Sequence, residues 1–446
     1  TTSTGEGGGG HATTSTTTPE TSTSVTTSSD ATDATGADET GGDCPGEPWD
    51  DGPVASTRKI KNLTGEGTSS GAFGVGGTDL GIPVRQPDGK IAYIFGDTFQ
   101  TDCVGGPGWR APVLLRSEPG LDEDGIEFDD AAGGPYAKQL FDYSHDGGRT
   151  WLPSDAITIG TRMYLHFIVN EGLGNVLWTQ IAYSDDNGEN WTVSEARWEA
   201  DENDFLRQLW TWERGCDGYV YTLSTKFISR DRAIILHRVP QDRLLDRDAY
   251  EPWGFADGEW AWGNPATIVL DGAFGEMSLR RVEHKWVLAW FNAGDYEITI
   301  KVFDGPTSNL YTAATYHPIQ GGAWGAESDT VVAQLYGGYI VPGSTLANMD
   351  LVVSQWNTRD NSRYMSTQFN VKGLDRFFGI TPEDAVSPMR TRALTEEPQS
   401  PDVGNQDVLQ VEVTPLDGES AAQLSPEGAA DALAGLTVIP LEGATP

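Results

Sequence analysis

One pattern recurs through the middle of this chain and leaves few folds open to it. Pairs of short, apolar, β-prone runs are joined by glycine-rich turns, five times over. Thr78 to Val84 and Ile91 to Phe95 flank Gln86-Pro87-Asp88-Gly89; Ala156 to Ile159 and Met163 to Val169 flank Gly160-Thr161, with Leu177 to Ser184 following. Leu206 to Trp212 pairs with Tyr219 to Thr225, then Ala233 to Val239, with Trp253 to Trp262 to close the unit. Met277 to Val282 pairs with Trp286 to Phe291 and runs on through Ile298 to Phe303; Tyr339 to Ser344 pairs with Leu351 to Trp356 and adds Tyr364 to Val371. Five irregular units of three or four strands, about 50 to 75 residues apart, describe radial repetition: an all-β, five-bladed β-propeller. The fifth unit lacks a fourth strand, and Arg58 to Leu63 is placed to supply it and close the ring. The 15 tryptophans and 54 glycines suit short strands and tight turns.

A second signal points the same way. Ser144-His145-Asp146-Gly147-Gly148-Arg149-Thr150-Trp151 and Ser184-Asp185-Asp186-Asn187-Gly188-Glu189-Asn190-Trp191 both fit S-x-D-x-G-x-x-W, which resembles the Asp-box of sialidase-type propellers. Ser and Asp side chains satisfy the backbone of a tight turn, Gly takes the positive φ, and Trp packs beneath. Both boxes are expected on outer hairpins, with carboxylates that serve the turn rather than catalysis or calcium.

The first hairpin carries the chemistry. Folded back about Asp88, it sets Asp79 opposite about residue 97, which is Asp97. Cβ atoms directly opposed across an antiparallel pair lie roughly 5 Å apart. Gly76, Gly77, Gly81 and Gly96 flank the two carboxylates and leave room for a ligand or a neighbouring backbone. Two carboxyls this close titrate unequally, which is what acid–base chemistry on a glycosidic bond needs. The same folding-back collects Asp155 with Glu171, Gln208 with Lys226, Glu276 with Asn292, and Trp356 at one rim, with Arg110 beside Asp97. Carboxylates, amides, cations and tryptophan together are a sugar-binding composition.

A formal net charge of −37 argues against nucleic-acid phosphate or an anionic membrane face as partner, whereas a neutral polysaccharide is compatible with it. No apolar run is long enough to span a bilayer. Cys44, Cys103 and Cys216 form no metal-ligand spacing and the six histidines no zinc pattern, so no metal or other cofactor is expected. One disulfide with one free thiol is open, in any pairing. Residues 1–50 are a Ser/Thr/Gly-rich, disordered tether of the kind found on exported, surface-attached proteins; residues 54–390 are the propeller; residues 391–446 are an acidic, Pro/Gly-rich linker with a short strand at Val408 to Val413.

Five motifs resemble a known family. They are Gly76 to Gly81, Phe95 to Phe99, Trp109 to Ser117, Gly275 to Arg280, and Gly338 to Ser344 followed by Val353 to Asn357. In order, they are similar to the endo-D-arabinanases of glycoside hydrolase family 183. Val341 stands where that pattern leads one to expect histidine. The resemblance implies a five-bladed propeller that cuts internal α-D-arabinofuranosyl linkages of mycobacterial arabinogalactan and lipoarabinomannan. On this reading Asp79 and Asp97 share the acid and base (or nucleophile) roles, and Glu276 is the third carboxylate. Arg110, Glu171, Gln208, Lys226, Asn292 and Trp356 bind substrate. Inversion is expected, the protein is exported, and a monomer suffices. Two other classes compete: a propeller lectin, which needs no opposed carboxylates, and a sialidase, which needs an arginine cluster.

Overall fold

The computed structural model describes residues 55–121 and 124–380. Both predicted tails, Cys44 and the strand at Val408 to Val413 lie outside them. The described residues form five sheets, each a blade and antiparallel but for one short parallel outer pair, Ala314–Gly322 with Val331–Ala333, in the fourth; the innermost strands are Gly77–Arg85, Arg149–Ile159, Leu209–Arg214, Phe274–Val282 and Leu335–Ile340. The fifth blade is completed by Ser56–Asn62, which pairs antiparallel with Ser362–Lys372, from Ser56 opposite Lys372 to Asn62 opposite Thr367. The expected ring closure is therefore made.

The first hairpin shows how sequence sets local structure. Arg85 faces Ile91, the Gln86 N–H donates to the Lys90 carbonyl (2.8 Å), and Gly89 takes a φ of +98° that a side chain would resist. Its alternating residues Ile82, Val84, Ile91, Tyr93 and Phe95 are buried, so one register serves both faces of the blade.

Adjacent blades share no ladder, so backbone groups at their junctions need other partners. A Ser or Thr hydroxyl meets this need at all five junctions. Thr158 Oγ1 donates to the Arg85 carbonyl; Ser154 Oγ accepts from Trp210 N–H and donates to its carbonyl. Leu279 N–H donates to Thr211 Oγ1, Ile340 N–H to Ser278 Oγ, and Leu80 N–H to Ser354 Oγ. Between the blades lie the large side chains, including fully buried Trp210, Trp212, Phe167 and Phe369.

Three expectations need correction. The second blade's inner strand begins at Arg149 rather than Ala156, because Ser154 and Asp155 read as turn residues but are buried and bonded across the junction. The first Asp-box therefore leads into an inner strand and sits at the channel mouth, whereas the second lies on an outer hairpin as expected, with Asp186 accepting from Asn190 N–H and Nδ2. Finally, Trp253 to Trp262 is not one strand but a hairpin, Glu251–Ala256 with Glu259–Trp262. Cys103 and Cys216 are both unbridged.

Candidate active site

Four of the five innermost strands carry a β-bulge, and those of the first and fourth blades lie near the strand start, at one mouth of the channel. A bulge re-aims a side chain that a regular pleat would send into the sheet. Asp79 stands on the first blade between Thr78, which faces Thr98, and Leu80, which faces Phe95; Gly96 and Asp97 together oppose it. Leu80 follows at φ +66°, a strained conformation for a branched residue, and Gly81 at +78°. A Cβ on Gly96 would come within 2.4 Å of Asp79 Oδ1, so only glycine lets the carboxylate lie there. Glu276 reaches the same mouth through a second bulge, after Gly275, whose missing Cβ would meet Phe291 at 2.7 Å.

Asp79 is half-buried as a residue, with its Oδ1 shielded from solvent. Burial, then the charge of Asp97, pushes its pKa up to about 7, with Glu276 adding to the rise. The Tyr336 hydroxyl donates to Oδ2 at 2.9 Å and pulls the other way, as does Tyr364. Oδ1 has no partner. Asp97 is built differently: Trp109 Nε1 and Thr150 Oγ1 both donate to its Oδ1, at 2.6 and 2.9 Å. Burial raises its pKa, but these two bonds favour the charged form. The Trp109 ring is held by His145 of the first Asp-box, stacked at 3.9 Å between centroids. Glu276 pairs with Arg230 at 2.6 Å and leaves Oε2 buried without a partner. Arg230 in turn lies 5.3 Å from the Tyr336 ring centroid, so one chain of contacts runs from Asp79 through Tyr336 and Arg230 to Glu276.

The other predicted residues divide. Arg110 is buried, and its guanidinium donates to the carbonyls of Ala137, Gly108 and Gly74 and to the Tyr136 hydroxyl, so it braces loops beside Asp97. Gln208 is likewise engaged at both ends, by the Ala200 carbonyl and the Phe227 N–H. Glu171 opposes Arg149, not Asp155, and forms an ion pair with it at 3.0 Å on the rim. Lys226 lies 5.4 Å from the centroid of Phe205, and Asn292 bonds Asp295 and Thr299. Trp356 is half-buried near Tyr364, with its indole N–H unpartnered. Asp155 is not at the rim at all: it faces His166 within the second blade and accepts both ends of the Arg280 guanidinium, at 2.7 and 2.9 Å.

Residues missed from sequence are Trp109, Thr150, Tyr336, Tyr364 and Arg230. Trp109 adjoins Arg110 in a motif already singled out, and Thr150 lies inside an Asp-box. Arg230 sits in a loop at φ +50°, where no periodicity marks it.

A cavity of about 270 Å³ opens at the opposite mouth, lined by Arg85, Trp212, Glu213, Arg280, Val341 and Pro342 among others. None of the three carboxylates lines it, and its Arg280 is already matched by Asp155, so the candidate site is the carboxylate mouth. Val341, the departure from the family pattern, lies at this opposite end.

Fold and site together define a class: a five-bladed propeller whose channel mouth pairs a carboxyl kept protonated near neutrality with an anchored carboxylate. The chain belongs to the family described as "Domain of unknown function (DUF4185)", which matches residues 64–370. It is 34% identical over 340 residues to "Notoamide biosynthesis cluster protein J" of Aspergillus sp. (strain MF297-2), covering 69% of this chain and 86% of that protein. It is 30% identical over 335 residues to "Uncharacterized 35.9 kDa protein in asd 3'region" of Mycolicibacterium smegmatis, covering 71% of this chain and 98% of that protein. Among solved structures, a Bacteroides ovatus ATCC 8483 protein provisionally named a hydrolase superposes with a TM-score of 0.53 at 12% identity, covering 75% of this chain and 95% of that one. That likeness establishes the propeller fold.

Proposed function

We propose that this protein is an endo-acting glycoside hydrolase that cleaves internal α-D-arabinofuranosyl linkages of mycobacterial arabinogalactan and lipoarabinomannan. The observation that carries the hydrolase reading is the unequal carboxyl pair. Asp79 holds a proton to about pH 7 and protonates the leaving glycosidic oxygen. Asp97, fixed through Oδ1 by Trp109 and Thr150, leaves Oδ2 for the base or nucleophile role. Glu276, ion-paired with Arg230, orients the ring hydroxyls and tunes Asp79. The arabinan substrate rests on the resemblance of the five motifs to family 183 enzymes. A lectin would have no use for a carboxyl held protonated beside a second one. Against a sialidase, the arginines near the mouth are all engaged: Arg110 by carbonyls, Arg149 by Glu171 and Arg230 by Glu276. Export to the cell surface follows from the Ser/Thr-rich first fifty residues.

The test is incubation with purified mycobacterial arabinogalactan, with products sized over time. An early ladder of arabino-oligosaccharides is expected, with free arabinose late or never. Monosaccharide alone from the start would overturn internal cleavage. Saturable binding without new reducing ends would overturn hydrolysis and leave a lectin.

A further inference from the structure

The junction between the second and third blades carries a charge that no described carboxylate pairs with directly. Arg207 is 2% exposed, and neither Nη1 nor Nη2 has a hydrogen-bond partner. An isolated buried cation is among the costliest features a fold can carry. Its guanidinium lies over aromatic rings, 4.1 Å from the centroid of Trp210, 5.4 Å from Trp198 and 5.5 Å from Tyr250. Such rings compensate the face of the ion; its N–H groups lie in its plane and still need acceptors. The nearest acting carboxylate, Glu202, bonds Arg247 at 2.8 Å and the Glu199 N–H instead.

The surroundings hold further polar groups without partners. Strand register puts Trp212, Thr222 and His237 in one row of the third blade, with Ser224 in the next row on the same face. Across the junction, His166 of the second blade stacks on Trp210 at 4.0 Å. Trp212 Nε1, Thr222 Oγ1, Ser224 Oγ, His237 Nδ1 and both ring nitrogens of His166 are buried without partners. Burial, and after it the charge of Arg207, pushes the pKa of both histidines well below the ordinary range. A guanidinium and an indole N–H can only donate; hydroxyls and neutral imidazoles can turn to donate as well.

We propose that this closed, donor-rich junction binds a small inorganic monovalent anion, of halide size, against the Nη1 and Nη2 groups of Arg207. The anion neutralises the guanidinium and ties the second blade to the third. The burial of every one of these groups favours the smallest anions. The proposal is independent of the substrate assigned to the channel mouth.

The test uses the wild-type chain and Arg207→Met, each titrated with sodium chloride against sodium gluconate at constant ionic strength. For wild type, the melting temperature should rise saturably, by about 4 °C once chloride exceeds its Kd a hundredfold. Chloride NMR linewidth should broaden on adding wild-type protein, and bromide should reverse this. Arg207→Met should keep the fold and lose both effects. If that variant does not fold, the wild-type linewidth and melting titrations decide alone. Melting that follows ionic strength but not the identity of the anion, with unbroadened chloride, would overturn the proposal and leave the junction to water.

Discussion

Asp79 and Asp155 are both carboxylates on innermost strands, and they have opposite fates. Asp155 accepts five hydrogen bonds: from the Ala156 and Trp212 N–H groups, the Thr211 hydroxyl, and two guanidinium nitrogens of Arg280. It links the second, third and fourth blades and has no capacity left for a substrate. Asp79 has the Tyr336 bond, an unpartnered Oδ1, a strained neighbour in Leu80 and a raised pKa. The comparison teaches that burial alone does not mark a reactive carboxyl. What separates the two is how completely the surrounding donors satisfy the charge.

The sharpest way to break this comparison is Asp79→Asn or Asp97→Asn. Each should lower turnover about a thousandfold on arabinan, as loss of general acid–base catalysis does. Asp79→Asn should also melt higher than wild type above pH 7. The unfolded Asp79 releases its proton near pH 4 and the folded one near 7, so the native state holds the extra proton between them. Wild-type stability therefore falls as pH rises through that window, and asparagine removes the loss. Near-native turnover in either variant would remove that residue from the chemistry.

Next in size is Arg280→Met, which leaves Asp155 buried and unpaired. It should cost about 3–5 kcal/mol of stability in denaturant titration, with kcat on arabinan close to wild type. Adding Asp155→Leu should recover much of that. Lost turnover without lost stability would put Asp155 in the site after all.

Trp109→Phe removes one donor to Asp97 while keeping the ring against His145. A charge-assisted bond is worth about 1.5–3 kcal/mol, so turnover should fall roughly ten- to a hundredfold, with the acid limb of the pH profile moving up. An unchanged profile would mean that Asp97 does not titrate in the reaction.

The smallest effect is expected from Tyr336→Phe. The hydroxyl holds the Asp79 pKa down, so its loss should push the basic limb, set near pH 7 by Asp79, to higher pH. Movement to lower pH would contradict Asp79 as the proton donor.

Much of this was legible in the chain. Strand periodicity and turn residues mark every blade, and the folding-back of one hairpin about Asp88 brings Asp79 against Gly96 and Asp97. The pairing of Asp155 with Glu171 fails because it takes Asp155 to open the inner strand, whereas that strand begins at Arg149, which is the residue opposite Glu171, and Asp155 lies mid-strand opposite His166. Folding-back also cannot tell that Arg110 and Gln208 are taken up by backbone groups, since their partners lie in loops without period. Tyr336 and Arg230 reach the mouth from the fifth blade and from a third-blade loop, contacts that only tertiary structure reveals.

The closing strand has a consequence in the order of synthesis. Ser56–Asn62 emerges from the ribosome early, and its partner Ser362–Lys372 begins about 300 residues after Asn62. At about 5–20 residues per second, the early strand waits roughly 15 s to a minute before its edge can be filled. During that interval both it and the growing blades present open sheet edges, and the late partner can as readily accept the same strand from another copy. Arg58, Lys59 and Lys61 on this short segment repel a second copy of themselves. Neutralising all three should therefore raise the yield of strand-exchanged dimers during refolding at high concentration, while leaving the closed monomer's turnover unaltered.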